Sequence, residues 1–433
     1  MSDDEQSRPF QLSPTEDADS LLQKARQSFL PSSPIRSFGD LKGRNESLEL
    51  VKSILTTPGR SPFIYGDRGV GKTSLAHTAA WSHHDSSSQP ALVACDEWSR
   101  FGPVILDAYT KLCGVDPTIN TEKSGFTFSM KGLIGGNSER TRAMPPPENI
   151  SPSSAITLIR HAESLIPAQK HPVVVVDEMD QLIDRKTKGQ FSSFIKQLGD
   201  QECRTKFIFV GIGRNITEFI ESHESISRNI GTVRLERLSI TALEEIVSSG
   251  FDSLGVQVFQ PYARRIAFLS DGFPHFVHLI SLHLAEQVIQ RKDGVGKVTP
   301  ETIRNALQQS VLESEHWLRE AYDKATKQRD LDYEPILWSI ADHWQLTRKY
   351  EEIYESYERI MDSDSVEGTA LSRTKFSSAL QRLKKSQHGE VIESPQSRWY
   401  RFRKSMLRGY CRMVAESKGV PVGLDYMAPR EPL

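Results

Sequence analysis

The sequence lacks several features that define large classes of proteins. Its four cysteines have no Cys-x-x-Cys spacing, which argues against a structural zinc site and against a disulfide framework. No apolar run approaches the roughly 20 residues that a membrane-spanning helix needs. The first residues have neither a basic start nor an apolar stretch, so we expect no secretory signal, no membrane partner and a cytoplasmic location. We expect four reduced, mostly buried thiols, at Cys95, Cys113, Cys203 and Cys411.

An excess of one charge is also missing. The 54 Lys and Arg residues nearly balance the 56 Asp and Glu residues, which gives a net charge of −2. Global charge therefore does not indicate a nucleic-acid-binding protein, and any basic surface must be local. A hydrophobic content of 37% with 25% charged residues is typical of globular proteins. The length of 433 residues predicts two or three domains.

Composition and periodicity divide the chain into four segments. Residues 1–37, rich in Ser, Pro, Asp and Gln, predict a disordered N-terminal arm with one helix near residues 18–29. Residues 38–238 predict an α/β domain, residues 239–312 a small helical domain, and residues 313–433 a winged-helix domain. Five apolar strands of a buried parallel sheet are expected at residues 62–65, 91–94, 173–176, 207–210 and 233–235.

The winged-helix prediction depends on the order of elements after residue 331. Three helical patterns, at residues 332–342, 349–361 and 371–386, precede two strands around a proline-containing turn at residues 389–402. A closing helix is expected at residues 404–417. This order describes a winged helix, which binds DNA in some proteins and docks proteins in others.

A long insertion interrupts the α/β domain at residues 116–152. It is too polar and too rich in Gly and Pro for core structure, and it is long for a connecting loop. One interpretation is a flexible insertion, and the other is a pore loop or partner-binding loop. The second interpretation depends on basic residues that flank large apolar ones: Lys123, Lys131, Arg140 and Arg142 around Phe126, Phe128 and Met130.

The stretch "SPFIYGDRGVGKTSLAHTAA", residues 61–80, contains a complete G-x-x-x-x-G-K-[ST] motif between a strand and a helix. Its glycines allow backbone N–H groups to face phosphates, Lys72 can reach the terminal phosphates, and Thr73 can ligate Mg²⁺. We therefore predict an ATP site. Its expected residues are Gly66, Asp67, Arg68, Gly69, Val70, Gly71, Lys72, Thr73 and Ser74.

Adjacent acids follow the buried strand in "VVVVDEMDQL", residues 173–182. We expect Asp177 to hold Mg²⁺ and Glu178 to orient or deprotonate the attacking water. The alternative is an ordinary surface turn. Asp180 is interpreted as structural, as a cap of the helix that follows.

Together these motifs resemble the AAA+ ATPases over residues 38–312. The segment "DEMDQL", residues 177–182, resembles the corresponding segment of the origin-initiator branch and of the related STAND-like bacterial and archaeal ATPases. The resemblance implies a five-stranded AAA+ sheet with a helical lid at residues 239–312, followed by the winged helix. It also implies that Gly43 and Arg44, in "FGDLKGRNESL", approach the adenine, and that Arg214 or Asn215, after the fourth strand, senses the γ-phosphate.

The same resemblance implies an arginine that acts on a neighbouring subunit, and hence a homo-oligomer. Ser227 and Arg228 stand just before the fifth strand, where the family carries this arginine finger. The alternative is a solvated surface arginine, and Arg234 and Arg237 are further candidates for the finger.

The helical domain departs from the common pattern of the family. The segment "SDGFPHFVHLI", residues 270–280, has no second sensor arginine, and Gly272, Phe273 and Pro274 resemble the G-x-P signature of STAND-like ATPases. Pro274 is thereby expected at the nucleotide. His275 either approaches phosphate or packs. Loss of the sensor arginine implies slow turnover, as in a switch.

The carboxy-terminal domain concentrates positive charge in one part of the sequence. DNA contacts are expected from Arg373, Lys375 and Arg382 on the third helix and from Arg398 at the wing. The aromatic residues of the last strand, Trp399, Tyr400 and Phe402, are assigned to core packing. Further cations of this region are Lys384, Lys385, Arg401, Arg403, Lys404, Arg408 and Arg412, opposed in this stretch by Glu390 and Glu393.

Two functions fit these features. The first is an ATP-binding and ATP-hydrolysing AAA+ protein that acts as a nucleotide-controlled, oligomerising switch on double-stranded DNA. The alternative is a STAND-like signalling or defence ATPase that hydrolyses ATP slowly and recruits or controls an effector protein. The basic third helix favours the first, and the G-x-P segment and the long insertion favour the second.

Overall fold

The structure, a computed structural model, divides the chain into two compact units. Pro34–Glu236 form the first, here called the sheet unit, and Met1–Ser33 with Arg237–Leu433 form the second, here called the helical unit. The structure describes residues 10–11, 18–35, 38–83, 89–114, 116–118, 126–129, 142–144, 150–167, 171–212, 224–290, 295–296, 298–327 and 332–423.

The described residues form short strands and mostly amphipathic helices. The strands are β1 (Phe10–Gln11), β2 (Ser61–Gly66), β3 (Ala91–Ala94), β4 (Asp116–Thr118), β5 (Phe126–Ser129), β6 (Arg142–Met144), β7 (Val173–Asp177), β8 (Lys206–Gly211), β9 (Ile230–Leu235), β10 (Val295–Gly296), β11 (Arg348–Lys349), β12 (Ile392–Glu393) and β13 (Trp399–Phe402). The α-helices are α1 (Ala18–Ser28), α2 (Asn45–Thr56), α3 (Lys72–His83), α4 (Phe101–Cys113), α5 (Pro152–Leu165), α6 (Arg185–Asp200), α7 (Ile240–Ser253), α8 (Gln260–Leu269), α9 (Pro274–Ile289), α10 (Pro300–Glu313), α11 (His316–Thr326), α12 (Glu334–Ala341), α13 (Tyr350–Met361), α14 (Arg373–Leu383) and α15 (Met406–Ser417).

The sheet unit contains the predicted five-stranded parallel sheet. Its strand order is β3-β7-β8-β2-β9, and each neighbouring pair is parallel. The register aligns Phe63 with Phe209, and Ala94 with Asp177. Because parallel strands end at the same edge, the P-loop after β2 and the acids at the end of β7 lie on one side of the sheet.

The core of the sheet unit explains why β7 is entirely apolar before Asp177. Residues 173–176 are four valines, and each is fully buried, as expected for a strand covered by helices on both faces. Phe207 and Phe209 of β8 are also in this core, and their rings stack on each other with centroids 5.9 Å apart. Each such side chain contributes about 1.5–3 kcal/mol through burial, which makes this the rigid part that positions the loops.

Polar caps mark the beginnings of several helices. Ser239 accepts a hydrogen bond from Ala242 N at the start of α7, and serine is a residue that favours this capping position. The prediction that Asp180 caps the next helix was wrong. Asp184 has that role, since its carboxylate accepts from the backbone N–H groups of Lys186 and Thr187 at the start of α6. Asp180 lies in a short 3-10 helix, Met179–Gln181.

The N-terminal segment is not a free arm between residues 18 and 33. Helix α1 packs against α7 and α9 of the helical unit, with Leu21 and Ala25 buried. Phe29 follows α1 and lies 5.1 Å from the ring of Phe251, in a space that exists because Gly250 has no side chain. The apolar face of α1 thus stabilises a segment whose composition predicted disorder.

The remaining helical unit contains the predicted helical lid and winged helix. Helices α7 to α10 form the first part, and α10 packs against α15 of the second. In the winged-helix part, α12, α13 and α14 precede the hairpin β12–β13, as predicted. β13 pairs antiparallel with both β12 and β11, and β11 was not predicted. Tyr400 and Phe402 are buried, which agrees with core packing.

The insertion at residues 116–152 is described only in part. Strands β4, β5 and β6 form an antiparallel three-stranded sheet, which its polar sequence did not predict. Lys123, Met130, Lys131 and Arg140 lie outside the described residues. Over the ranges that the structure covers, helices fall short of the length and apolar character that crossing a membrane requires. The four cysteines are free thiols and all are buried, as expected.

Candidate nucleotide site

The P-loop connects the end of β2 to the start of α3. Gly69 and Gly71 have φ angles of 79° and 92°, which L-residues with side chains rarely adopt. A Cβ at Gly66 would lie 2.3 Å from the carbonyl oxygen of Leu235 in β9. Glycine is therefore required at these positions by backbone geometry, and the loop turns its N–H groups around the start of α3.

Lys72 is the first residue of α3. Its Nζ donates to the carbonyl oxygen of Asp67 within the same loop, over 2.9 Å. Burial lowers the pKa of Lys72, and the nearby carboxylates of Asp180 and Asp177 partly oppose that change. The ammonium group thus lies inside the loop, beside the acids that follow β7.

Thr73 and Asp177 form the central contact of the site. The Thr73 hydroxyl donates to Oδ2 of Asp177 over 2.7 Å, and the backbone N–H of Glu178 donates to Oδ1 over 2.7 Å. Both carboxylate oxygens are therefore oriented. A hydroxyl beside a carboxylate supplies the oxygen ligands that Mg²⁺ prefers, so this pair fits the ion.

Glu178 has an unusual backbone, with a φ of 55°. The left-handed conformation turns this exposed residue away from the line of β7. Partial burial and the neighbouring carboxylates of Asp177 and Asp180 raise the pKa of Glu178. A carboxylate with a raised pKa is a stronger base than an ordinary glutamate.

Arg44 is buried and holds the P-loop through a hydrogen bond to its backbone. Its Nη2 donates to the carbonyl oxygens of Val70 over 2.8 Å and of Glu236 over 2.7 Å. Burial lowers the pKa of Arg44 to about 10. The preceding Gly43 has a φ of 66°, which turns the chain into α2. These contacts give Arg44 a structural role, and its approach to adenine stays a prediction.

Two contacts in this region had no signal in the sequence. Ser74 Oγ accepts from the backbone N–H of Ile35 over 3.1 Å, and the Thr78 hydroxyl donates to the Ile35 carbonyl over 3.3 Å. Residue 35 therefore binds along the first turns of α3, and the Ser74 hydroxyl is directed to this segment. Cys95 also contacts the site, because its backbone N–H donates to the carbonyl oxygen of Asp177 over 2.9 Å.

The candidate finger Arg228 ends a 3-10 helix, Glu224–Arg228, and is exposed. Two residues hold this segment in place. Ile226 is buried, and Asn229, which follows Arg228, donates through its side-chain amide to the Gly59 carbonyl over 3.1 Å. Arg234 is exposed beside Glu236. The sensor candidates Arg214 and Asn215 lie outside the described residues.

Arg237 is excluded as a finger. Its Nη1 donates to Asp271 Oδ2 over 2.7 Å, and its guanidinium lies 4.7 Å from the centre of the Phe273 ring. Both contacts are inside the helical unit, so the guanidinium group of Arg237 is already bound within that unit. Pro274 and His275 open α9 in the same unit, and His275 Nδ1 donates to the Pro31 carbonyl over 2.9 Å, which is a packing contact.

The predicted DNA-contacting residues are all on the surface of the winged helix. Arg373, Lys375 and Arg382 are exposed on α14, and Arg398 is exposed in the turn before β13, with a φ of 60°. Arg373 also lies 4.5 Å from the centre of the Tyr354 ring, which limits its motion.

Other members of the predicted basic cluster are not available to DNA. Arg408 and Arg412 are only 4% and 2% exposed, so their assignment to a surface footprint was wrong. Neighbouring acids also reduce the positive charge of the wing more than the sequence indicated. The ion pairs there are Arg398–Glu351, Arg401–Glu393 and Arg403–Glu390.

Comparison with known proteins places this geometry in a known architecture. No protein-family model and no curated protein matches the chain. Among solved structures, the ORC2 protein of Aeropyrum pernix, determined as ADPNP–ADP complexes, aligns with a TM-score of 0.50 at 13% identity, over 91% of this chain and 98% of that one. The chain has the AAA+ fold.

Two other solved structures align less closely. A Walker-type ATPase of Pyrococcus abyssi gives a TM-score of 0.49 at 17% identity, over 88% of this chain and 99% of that one. Cdc6p of Pyrobaculum aerophilum gives 0.44 at 12% identity, over 91% and 98%. The AAA+ sheet, the helical lid and the winged helix predicted from the sequence are confirmed as the fold by the alignment with the ORC2 protein.

Proposed function

We propose that this protein binds and hydrolyses ATP with Mg²⁺, and that its nucleotide state controls an oligomer that acts on double-stranded DNA. The hydrogen bond between Thr73 and Asp177 carries the proposal. It brings a hydroxyl and a carboxylate to the P-loop in the arrangement that a magnesium–nucleotide complex requires. The ADPNP and ADP in the Aeropyrum pernix ORC2 structure support nucleotide binding on this fold.

Each group of the site has a defined task. Bound ATP supplies the γ-phosphoryl group that is transferred to water, and Mg²⁺ offsets the charge of the phosphates. Thr73 and Asp177 would hold the ion, while Lys72 and the P-loop N–H groups orient the phosphates. Glu178 accepts the proton of the attacking water, which its raised pKa favours.

Oligomerisation is proposed from Arg228. Its side chain is exposed at the end of a segment anchored by Ile226 and Asn229, so a second copy of the chain can reach it. A guanidinium from a neighbour would stabilise charge in the transition state and make hydrolysis depend on assembly. Slow turnover is proposed because the segment at Pro274 carries no sensor arginine.

DNA binding is proposed from the exposed cations of α14. Arg373 and Lys375 lie in the first turn of the third winged-helix helix, where phosphate and base contacts concentrate in this module. An acidic α13 favours the alternative, in which the winged helix binds an effector protein. That helix carries Glu351, Glu352, Glu355 and Glu358, and Glu351 pairs with Arg398 of the wing.

The test combines nucleotide and DNA measurements on the same preparation. We expect Mg²⁺-dependent ATP hydrolysis, loss of ATP binding in Lys72→Ala, and duplex binding whose affinity differs between ATP and ADP. Normal ATP affinity in Lys72→Ala would refute the site. Duplex affinity that does not change with salt would favour the effector-binding alternative, because phosphate contacts always release counterions.

A further inference from the structure

The winged-helix segment exposes two large apolar side chains on one short loop. Trp344 and Leu346 lie between α12 and β11, and they are 48% and 52% exposed. Exposure alternates along this loop, because the intervening Gln345 and the preceding His343 are half-buried. A group of neighbouring exposed apolar side chains indicates an interaction site, whereas single ones are normal on a protein surface. Trp344 and Leu346 are here called the loop patch.

Buried arginines of α15 hold this loop in place. Arg408 Nη1 donates to Trp344 O over 3.2 Å and to Gln345 O over 2.5 Å. Arg412 Nη2 donates to His343 O over 2.6 Å. Hydrogen bonds from a charged group are stronger than neutral ones, so the backbone of the loop is fixed. A ligand of the loop patch therefore binds without the cost of ordering the loop.

A polar cavity of about 360 Å³ adjoins the loop patch. The loop contributes His343 and Gln345 to its wall, and α13 contributes Glu352 and Glu355. Glu355 is exposed and Glu352 is half-buried. The surface beside the apolar patch is therefore polar and carries carboxylates.

The two arginines that also line the cavity already bind groups of the winged-helix segment. Arg359 pairs with Asp342. Arg348 is buried, and its Nη1 donates to Ser339 O over 2.6 Å. Their positive charge is thus partly offset inside the segment, while the carboxylate of Glu355 faces solvent. This arrangement favours a ligand that places a cation next to an apolar group.

The last described residue, Gly423, is fixed beside the same loop. Its backbone N–H donates to Oδ1 of Asp342 over 2.7 Å, and Asp342 is two residues before Trp344. Val422, which precedes Gly423, is buried. Gly423 has a φ of 69°, and a Cβ there would lie 2.0 Å from the ring of Phe268, so glycine is required. The residues after Gly423 therefore start from a fixed point next to the loop patch.

Residues 424–433, with the sequence LDYMAPREPL, follow Gly423 and lie outside the described residues. They contain the two kinds of group that the surface favours, the apolar Tyr426 and Met427 and the basic Arg430. The three or four residues from Gly423 to Tyr426 or Met427 span about 10–14 Å when extended, and Trp344 is at most about 8 Å from Asp342 between Cα atoms. The segment is long enough to reach the patch.

We propose that residues 424–433 dock on the loop patch and cover it, with Tyr426 and Met427 on Trp344 and Leu346 and with Arg430 at the carboxylate of Glu355. Because the segment is joined to the chain at Gly423, its effective concentration at the patch is in the millimolar range, so even a weak contact is occupied. The docking requires neither nucleotide nor DNA.

The first experiment measures the exposure of Trp344 by acrylamide quenching of tryptophan fluorescence, in the full chain and in a chain that lacks residues 424–433. The chain has six tryptophans, so the same deletion is also made in Trp344→Phe, which isolates the contribution of Trp344. We expect the deletion to increase quenching in the unaltered sequence and to leave it unchanged in Trp344→Phe. Equal quenching of the full and the shortened chain overturns the inference.

The second experiment adds a labelled peptide of residues 424–433 and follows its fluorescence anisotropy. We expect the peptide to bind the shortened chain at least about tenfold more tightly than the full chain, where the attached copy competes. Trp344→Ala with Leu346→Ala in the shortened chain should abolish binding. The matched control is Trp98→Ala with Ile183→Ala, which removes two other exposed apolar side chains. Equal peptide affinity in the two double variants overturns the inference.

Changes in the peptide keep the test valid if the double variant of the loop fails to fold. Tyr426→Ala with Met427→Ala in the peptide should abolish binding to the shortened chain, whereas Glu431→Gln should not. A second copy of the chain is the other occupant that the loop patch could take. A molar mass by light scattering that falls in Trp344→Ala with Leu346→Ala, but not on deletion of residues 424–433, would show that occupant and overturn the inference.

Discussion

Thr73 and Asp177 are 104 residues apart in the sequence, and a 2.7 Å hydrogen bond joins their side chains. Strand order explains this contact. β2, which leads into the P-loop, and β7, which ends in Asp177, both pair with β8, and all three run parallel. Their carboxyl ends therefore meet at one edge, and the contact is built by the sheet rather than by local sequence.

Glu178→Gln is expected to retain ATP binding and to slow hydrolysis by about 10²–10⁴-fold. The amide keeps the size of the side chain but cannot accept the proton of water, while Asp177 and Thr73 remain in place. Binding of a fluorescent ATP analogue and steady-state phosphate release measure the two effects. Glu202→Gln serves as the control, because Glu202 is an exposed acid before β8, at the opposite end of the strands from the P-loop. Undiminished phosphate release in Glu178→Gln would assign the base to another residue.

The fold and the core of the site were predictable because their signals are local. A glycine-rich motif between a strand and a helix, and two acids after four valines, identify the P-loop and Asp177 without any knowledge of the sheet. The five strands and the three helices of the winged helix follow from apolar periodicity in the same way. Each of these elements can be predicted from its own residues, because its apolar face needs only some other apolar surface to pack against.

The remaining features depend on pairs that no local pattern reveals. Arg408 and Arg412 have the appearance of surface cations in the sequence, yet both bind Asp271, which lies more than a hundred residues earlier. Ser74 has the expected motif position, but its hydroxyl accepts from Ile35. Charged and polar residues are exposed to solvent only on average. A charged residue that forms an ion pair with a distant part of the chain can be buried instead.

Arg228→Ala is expected to bind ATP normally and to hydrolyse it at least about 10³-fold more slowly, as for loss of an arginine finger. The exposed Arg234, which lies beside Glu236, provides the matched control as Arg234→Ala. Steady-state ATPase rates across a range of protein concentrations measure the effect, because a finger supplied in trans acts only in the assembled state.

A mixing experiment decides between a finger and a surface arginine. Subunits carrying Arg228→Ala retain Glu178, and subunits carrying Glu178→Gln retain Arg228, so a mixture should regain activity at the shared sites. Recovery in the mixture requires two chains at one site. A rate for Arg228→Ala alone that equals that of the unaltered protein would contradict the finger.

Replacement of Arg373, Lys375 and Arg382 by Ala is expected to weaken duplex binding to a similar degree for all sequences. Each lost phosphate contact lowers the slope of log affinity against log salt by about 0.9. Arg382 should contribute least, since it donates to the Tyr333 hydroxyl over 3.3 Å. Fluorescence anisotropy from low to moderate salt measures both quantities.

The control for α14 is the double variant Arg401→Ala and Arg403→Ala. These exposed arginines pair with Glu393 and Glu390, so fewer of their N–H groups are available to phosphates, and their loss should change the slope less. Equal slopes for the triple variant and the unaltered protein, with helical content confirmed by circular dichroism, would move the preferred function to effector binding.

The docking of the N-terminal segment is expected to weaken at acid pH through His278. Its Nδ1 accepts from the backbone N–H of Leu30 over 3.3 Å, so this nitrogen must be unprotonated in the docked state. Burial lowers the pKa of His278 to about 4, with a smaller contribution from nearby His275. The unfolded chain has the ordinary value of about 6.5, so between these values it binds more protons than the folded chain.

The free energy of unfolding of the helical unit should therefore be fully present above pH 6.5 and fall as the pH decreases towards 4, with about 2 kcal/mol lost between pH 7.5 and pH 5 through this group. Urea unfolding at a series of pH values measures the slope. His278→Gln should remove most of it, because glutamine does not titrate, whereas His316→Gln should not, because the His316 side chain is 82% exposed. A pH dependence equal in both variants would show that His278 does not control the docking of α1.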